Sequence, residues 1–103
     1  MIALVLSAHP ADQARTRAGI DLAMTLATFE TPFELFFTGP ACQCLQRSDV
    51  PKSPARLLSA LPMYGLHQWF HDQEVSQPID GSHALSTQAM RQRIRQASQV
   101  IRV

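Results

Sequence analysis

The 103 residues suffice for one domain around one core, and a formal net charge of +1 supplies no global field for nucleic acid or a membrane surface. No run of about 18 apolar residues occurs, and the opening Met-Ile-Ala-Leu-Val-Leu lacks the basic region and cleavage site of a signal peptide. A cytoplasmic location is therefore expected, without a membrane span. Hydrophobic residues make up 46% and charged residues 17%, more apolar surface than a small monomer covers easily, which predicts self-association or a partner.

In chain order, Ile2 to Leu6 is an unbroken apolar run, the pattern of a strand covered on both faces in a parallel sheet. It empties into the polar turn Ser7-Ala8-His9-Pro10. From Asp12, a candidate N-cap, to about Phe29 the pattern is helical. Steps of 100° gather Ala14, Ala18, Leu22 and Phe29 on one side, expected to face the sheet, and Ile20, Ala23, Met24 and Ala27 on another. A helix apolar on two sides packs on two things. The second is either another helix of this domain or a neighbouring subunit.

Pro32 breaks the helix, and Phe33 to Thr38 forms the second strand, which runs into Gly39-Pro40-Ala41-Cys42-Gln43-Cys44. Gln46 to Ser53 has loop composition. Ser53-Pro54 is a helix start, followed by Ala55, Leu57, Leu58 and Leu61 at helical spacing and stopped by Pro62 and Gly65. Leu66 to Phe70 is a weaker third strand that exits into His71-Asp72-Gln73-Glu74. Val75 to Ser86, with Pro78 and Gly81, is expected to be irregular. Met90, Ile94 and Ala97 share one side of a last helix that starts at Thr87, and Val100 to Val103 closes as a strand. Alternating strands and helices predict an α/β fold, a three-layer α/β/α sandwich over a short, mostly parallel sheet of four or five strands in a single domain, 1–103.

The side chains with chemistry cluster at strand exits, where parallel α/β sheets place their sites. Cys42 and Cys44 follow the second strand. In a reducing compartment they are thiols, ligands or a redox pair rather than a structural staple. A thiol near free backbone N–H groups can be stabilised as thiolate, which makes either cysteine a candidate nucleophile or sulfur acceptor. CxC is a poor disulfide pair because so small a ring strains the bond geometry. The competing reading is that they are small buried hydrophobes, a common fate of cysteine at a strand end. His9 and His71 are expected at neighbouring exits, and His9, Cys42, Cys44 and His71 together would be a soft metal site or redox sensor. His71-Asp72 offers a general base, weakened because adjacent residues point in different directions.

No GxGxxG or GxxxxGK[ST] cradle follows a strand, so no dinucleotide or other cofactor is expected. Arg91, Arg93, Arg95 and Arg102 would reach RNA only by converging with Lys52 and Arg56, whereas helical geometry splits Arg91 from Arg93. Direct nucleic-acid contact is not expected.

The order of these features resembles the small sulfur-relay proteins of the DsrE/DsrF type, closest to the DsrF/TusC-type subunit. The resemblance rests on the strand into Ser7-Ala8-His9-Pro10, the helix with Arg17-Ala18-Gly19-Ile20-Asp21, the Phe36-Phe37 strand, Leu57-Leu58 to Tyr64-Gly65-Leu66, and Val100-Ile101-Arg102-Val103. It implies a half-Rossmann α/β fold assembled with related DsrE/TusD-like and TusB-like subunits into homo- or hetero-oligomers. In DsrE/TusD-like members a cysteine just after the third strand accepts sulfur as a persulfide, toward tRNA 2-thiouridine or within sulfur oxidation. The matching stretch here, Trp69-Phe70-His71-Asp72, has no cysteine. The resemblance thus implies a subunit of a sulfur-transfer complex, non-catalytic in itself, with two alternatives: a sulfurtransferase using Cys42 or Cys44, or a metal-binding or redox-sensing module.

Overall fold

The core of the protein, seen in a computed structural model describing residues 1–103, is a five-stranded sheet. Its strands are β1 (Ile2–Leu6), β2 (Phe33–Phe37), β3 (Trp69–His71), β4 (Ser82–Ala84) and β5 (Gln99–Arg102), in the order β4-β3-β2-β1-β5. Every pairing is parallel. Side-chain alternation splits each strand between two faces. Leu4, Leu6, Phe33, Leu35, Phe37 and Trp69 enter the larger core, under helices α1 (Gln13–Thr28) and α2 (Pro54–Leu58). Ala3, Val5, Phe36 and Phe70 form the smaller core on the opposite face, with Met90 and Ile94 of helix α3 (Thr87–Arg95). The result is the expected three-layer sandwich. No helix is long and apolar enough to cross a membrane.

Local chemistry sets the helix starts. Asp12, Ser53 and Ser86 each accept a hydrogen bond from the backbone N–H three residues on, at Arg15, Arg56 and Ala89, which satisfies one of the free donors of a first helical turn. Pro54 then occupies the first turn of α2, where its missing N–H costs nothing.

The sheet-facing side of α1 is not the expected one. Thr16, Gly19, Ile20, Ala23 and Ala27 are buried, whereas Ala14 and Ala18 are exposed and Phe29 is 76% exposed. The reason is the close approach of α1 to β1. A Cβ on Gly19 would lie 2.7 Å from Leu6 Cγ and Cδ2, so the helix turns its smallest residue to the sheet. The second neighbour of α1 is partly internal, because α2 and a 3₁₀ helix at Leu61–Tyr64 pack beside it.

Four further boundaries differ from expectation. The helix expected to run from Ser53 to Leu61 ends at Leu58, and Pro62 falls instead within the 3₁₀ helix that Gly65 closes in left-handed conformation, φ 96°. The Cys42-Cys44 turn is a 3₁₀ helix, Gly39–Leu45. β3 starts at Trp69 rather than Leu66 and includes His71, which is therefore buried in the sheet rather than presented beyond it. Within the segment expected to be irregular, Ser82-His83-Ala84 forms β4. As a three-residue edge strand with a half-buried Ser82 and exposed His83 and Ala84 it has no apolar pattern, and Trp69 Nε1–H to Ser82 Oγ at 2.9 Å helps pin it.

Gly19→Ala would gain about 1 kcal/mol of helix propensity and lose about 1–3 kcal/mol to overpacking against Leu6. A lower urea midpoint is expected, and an unchanged or higher one would contradict the close α1–β1 packing.

Candidate functional site

The register brings the polar residues just past three adjacent strands into line. Leu6 pairs with Phe37 and Phe37 with His71, so Ser7, Thr38 and Asp72 follow one another across the carboxyl edge. Asp72 does the joining there. Its Oδ1 accepts the Gly39 N–H at 3.1 Å and lies 3.5 Å from Cys42 Sγ, which also has Phe37 O at 3.2 Å. Gly39 adopts φ 55°, a left-handed value that costs glycine little. Pro40 follows it in the first turn of the 3₁₀ helix.

That helix carries both cysteines into the core rather than outward. Cys42 is 0% and Cys44 2% exposed, and both are free thiols. The segment after β3 straps them in. Val75 and Ile79 join the same core cluster, Ile79 N–H donates to Leu45 O, Arg47 N–H to Gln77 O, and Ser76 Oγ to Gln46 Oε1. Burial pushes the Cys42 thiol above its ordinary value. Hydrogen bonds from the Gln73 and Asp72 backbone oppose that rise, and the Asp72 charge adds to it. Burial likewise pushes Cys44 up to about 11, against a hydrogen bond with Thr16. Both thiols therefore hold their protons at neutral pH, so neither is a ready nucleophile in this conformation.

The histidines do not join them. His9 is exposed, and its Nδ1 accepts the Ala11 N–H at 2.9 Å within its own turn. His71 is 5% exposed, and its Nδ1 lies 2.8 Å from Gln73 O. A carbonyl only accepts, so Nδ1 carries the proton. His71 and Asp72 thus hold different partners and form no dyad. No group of three or more His, Cys, Asp or Glu side chains is arranged to hold a metal ion, and His9, Cys42, Cys44 and His71 are not brought into one ligand set.

The arginines separate as well. Arg93 binds Glu34 Oε2 through Nη2 at 2.8 Å and Nε at 2.9 Å, and its guanidinium lies 4.3 Å from the centre of the Phe70 ring. It locks α3 to the sheet. Lys52 and Arg56 line clefts on the α1 side. Arg91, Arg95 and Arg102 do converge, on the α3 side of the carboxyl edge with Thr38 and Asp72.

No protein-family profile and no curated protein matches the chain. Among solved structures, the YchN protein from E. coli superposes with a TM-score of 0.81 over 99% of this chain and 97% of its own, at 17% identity. The chain has the DsrE-like fold. At that identity the likeness concerns backbone architecture, and the chemistry has to be argued from this chain's own residues.

Thr38, Asp72 and Arg102 are what sequence reasoning underweighted at this edge. Their signal lay in the strand register, which places them side by side and is not visible before the pairing is known.

The raised thiol pKa values have a consequence for stability. Below pH 9.0, the ordinary thiol value, folded and unfolded chains both keep the Cys44 proton. As pH rises from 9.0 to about 11, only the unfolded chain loses it, so stability falls across that window, by on the order of 2 kcal/mol. Urea unfolding should show this decline, and Cys44→Ala should make it shallower. An equally steep decline in the variant would contradict the buried, protonated Cys44.

Proposed function

We propose that this protein is a non-catalytic subunit of a persulfide sulfur-relay complex, of the DsrF/TusC type, assembled beside a cysteine-bearing DsrE/TusD-like subunit and a TusB-like subunit. One observation carries the reading. At the exit of β3, where the resemblance implies the sulfur-accepting cysteine of DsrE/TusD-like members, this chain has Asp72, whose carboxylate is occupied by the Gly39 N–H and faces Cys42. A carboxylate cannot form a persulfide. The DsrE-like fold over the whole chain supports the same reading.

Cys42 and Cys44 are the remaining carriers. For either to accept sulfur, the thiol must ionise and meet a donor persulfide, which requires the Gly39–Leu45 helix and the Val75–Ile79 strap to separate. That opening exposes core side chains that include Leu45 and Ile79, a large cost for a relay step at every turnover. A metal-binding or redox-sensing role has less support, because the four candidate ligands do not converge. The destination of the sulfur, tRNA 2-thiouridine or an oxidation pathway, would be decided by the partners.

Exposed apolar side chains offer surface for assembly, Phe29 at 76% and Met63 at 85%. Light scattering and native mass spectrometry of the protein, alone and mixed with cysteine-bearing DsrE-like and TusB-like subunits, should give a defined oligomer. A protein that stays monomeric alone and in every mixture would contradict the assembly reading.

A further inference from the structure

A cleft of about 370 Å³ opens at the carboxyl edge of the sheet on the α3 side, lined by Thr38, Asp72, Thr87, Arg91, Arg95 and Arg102. Its construction follows from two periodicities. Thr87, Arg91 and Arg95 stand at i, i+4 and i+8 of α3 and share one side of the helix. Arg102 pairs with Val5 in the β1–β5 ladder, and Val5 belongs to the α3-side core, so Arg102 projects to the same side. Thr38 and Asp72 continue β2 and β3 past their ends.

Three guanidinium groups therefore line one cleft. None of them has a carboxylate within ion-pair distance, whereas the protein's ion pairs engage Arg17, Arg47 and Arg93. Like charges at i and i+4 of a helix, as at Arg91 and Arg95, are unfavourable. A solvated helix face explains Arg91 alone, and Arg95 in the last turn also complements the helix dipole. Neither account explains why Arg102, from a strand on the far side of β1, lines the same cleft.

The topology points the same way. β1 leads to β2 on one side, while β5 returns through α3 to the other side of β1. This reversal of strand order is the switch point, outside whose carboxyl edge open α/β sheets bind ligands. Arg102 ends β5 at that point. The Asp72 carboxylate offsets one of the three positive charges and leaves two, the charge of a divalent oxyanion. Arginine forks match tetrahedral oxyanions in geometry as well as in sign, and the Thr87 hydroxyl supplies a neutral donor, while the Thr38 hydroxyl donates to Leu6 O at 3.5 Å.

We infer that the cleft between α3 and the carboxyl ends of β2, β3 and β5 binds a divalent tetrahedral oxyanion, a phosphate or a sulfur oxyanion, through Arg91, Arg95 and Arg102. This inference does not depend on the sulfur-relay reading, since it would hold for a protein that never meets a persulfide.

The test is titration of the whole protein with inorganic phosphate and, separately, thiosulfate at constant ionic strength. Binding is followed by calorimetry and by thermal melting, with chloride as the reference anion. Saturable one-site binding is expected for one or both anions, and its strength would show whether the site prefers phosphate or a sulfur oxyanion. Arg91→Gln and Arg102→Gln, both at exposed positions, should each weaken that binding by about tenfold or more, whereas Arg56→Gln on the other face should not alter it. Melting temperatures of the variants without anion report their folding. Effects that only track ionic strength, or binding unchanged in Arg91→Gln and Arg102→Gln, would overturn the inference. Saturable binding of a single-stranded RNA with none of either free anion would overturn its assignment to a small oxyanion.

Discussion

The carboxylate of Asp72 ties the ends of β2 and β3 together, and the geometry of the carboxyl edge depends on that tie. Its Oδ1 takes the N–H of Gly39 at the point where the chain leaves β2 in a left-handed conformation. The 3₁₀ helix that follows therefore folds inward over the core, with Cys42 beneath the carboxylate. A hydrogen bond to a charged acceptor in a half-buried place contributes more than a neutral one, on the order of 1.5–3 kcal/mol. Once the 3₁₀ helix is fixed there, Leu45 offers its carbonyl to Ile79, and the Val75–Ile79 strap closes over both thiols.

Two consequences separate on the two faces of the sheet. On the α1 and α2 face, packing is dense and the cysteines serve as apolar filling with raised pKa values. On the α3 face the helix covers a smaller core of six buried residues. Arg93 holds that helix down through Glu34 and Phe70. Because Arg93 is committed, the arginines one turn apart on the neighbouring side, Arg91 and Arg95, are left facing the strand exits. The same helix thus supplies both a structural clamp and a positively charged wall.

Much of the architecture was legible because it rests on local signals. The apolar runs at Ile2–Leu6 and Phe33–Phe37, the caps at Asp12 and Ser53, and the Met90 and Ile94 spacing all have short-range causes. What escaped has long-range causes. The buried side of α1 is decided by the contact of Gly19 with Leu6, and β4 exists because Trp69 and His71 offer it partners. At the site, the sequence left the cysteines open between reactive thiols and small buried hydrophobes, and what decides for burial is a strap some thirty residues further along the chain. Asp72 and Arg102 drew little weight for a related reason: their neighbours are set by strand register, which no single segment encodes.

The proposed role requires a protein that supports a sulfur relay without carrying the sulfur, and a β3 exit bearing a carboxylate, with two thiols that are buried and protonated, is consistent with that requirement. The most direct measurement is the intact mass of the folded protein, with and without reductant, after incubation with a cysteine desulfurase and cysteine and, in parallel, with a small-molecule persulfide. Peptide mapping would then locate any added sulfur. The predicted result is no added sulfur on Cys42 or Cys44 while the desulfurase itself is shown to be loaded. A reductant-sensitive gain of one sulfur atom on either thiol in the folded protein would contradict it and make this chain a carrier in its own right.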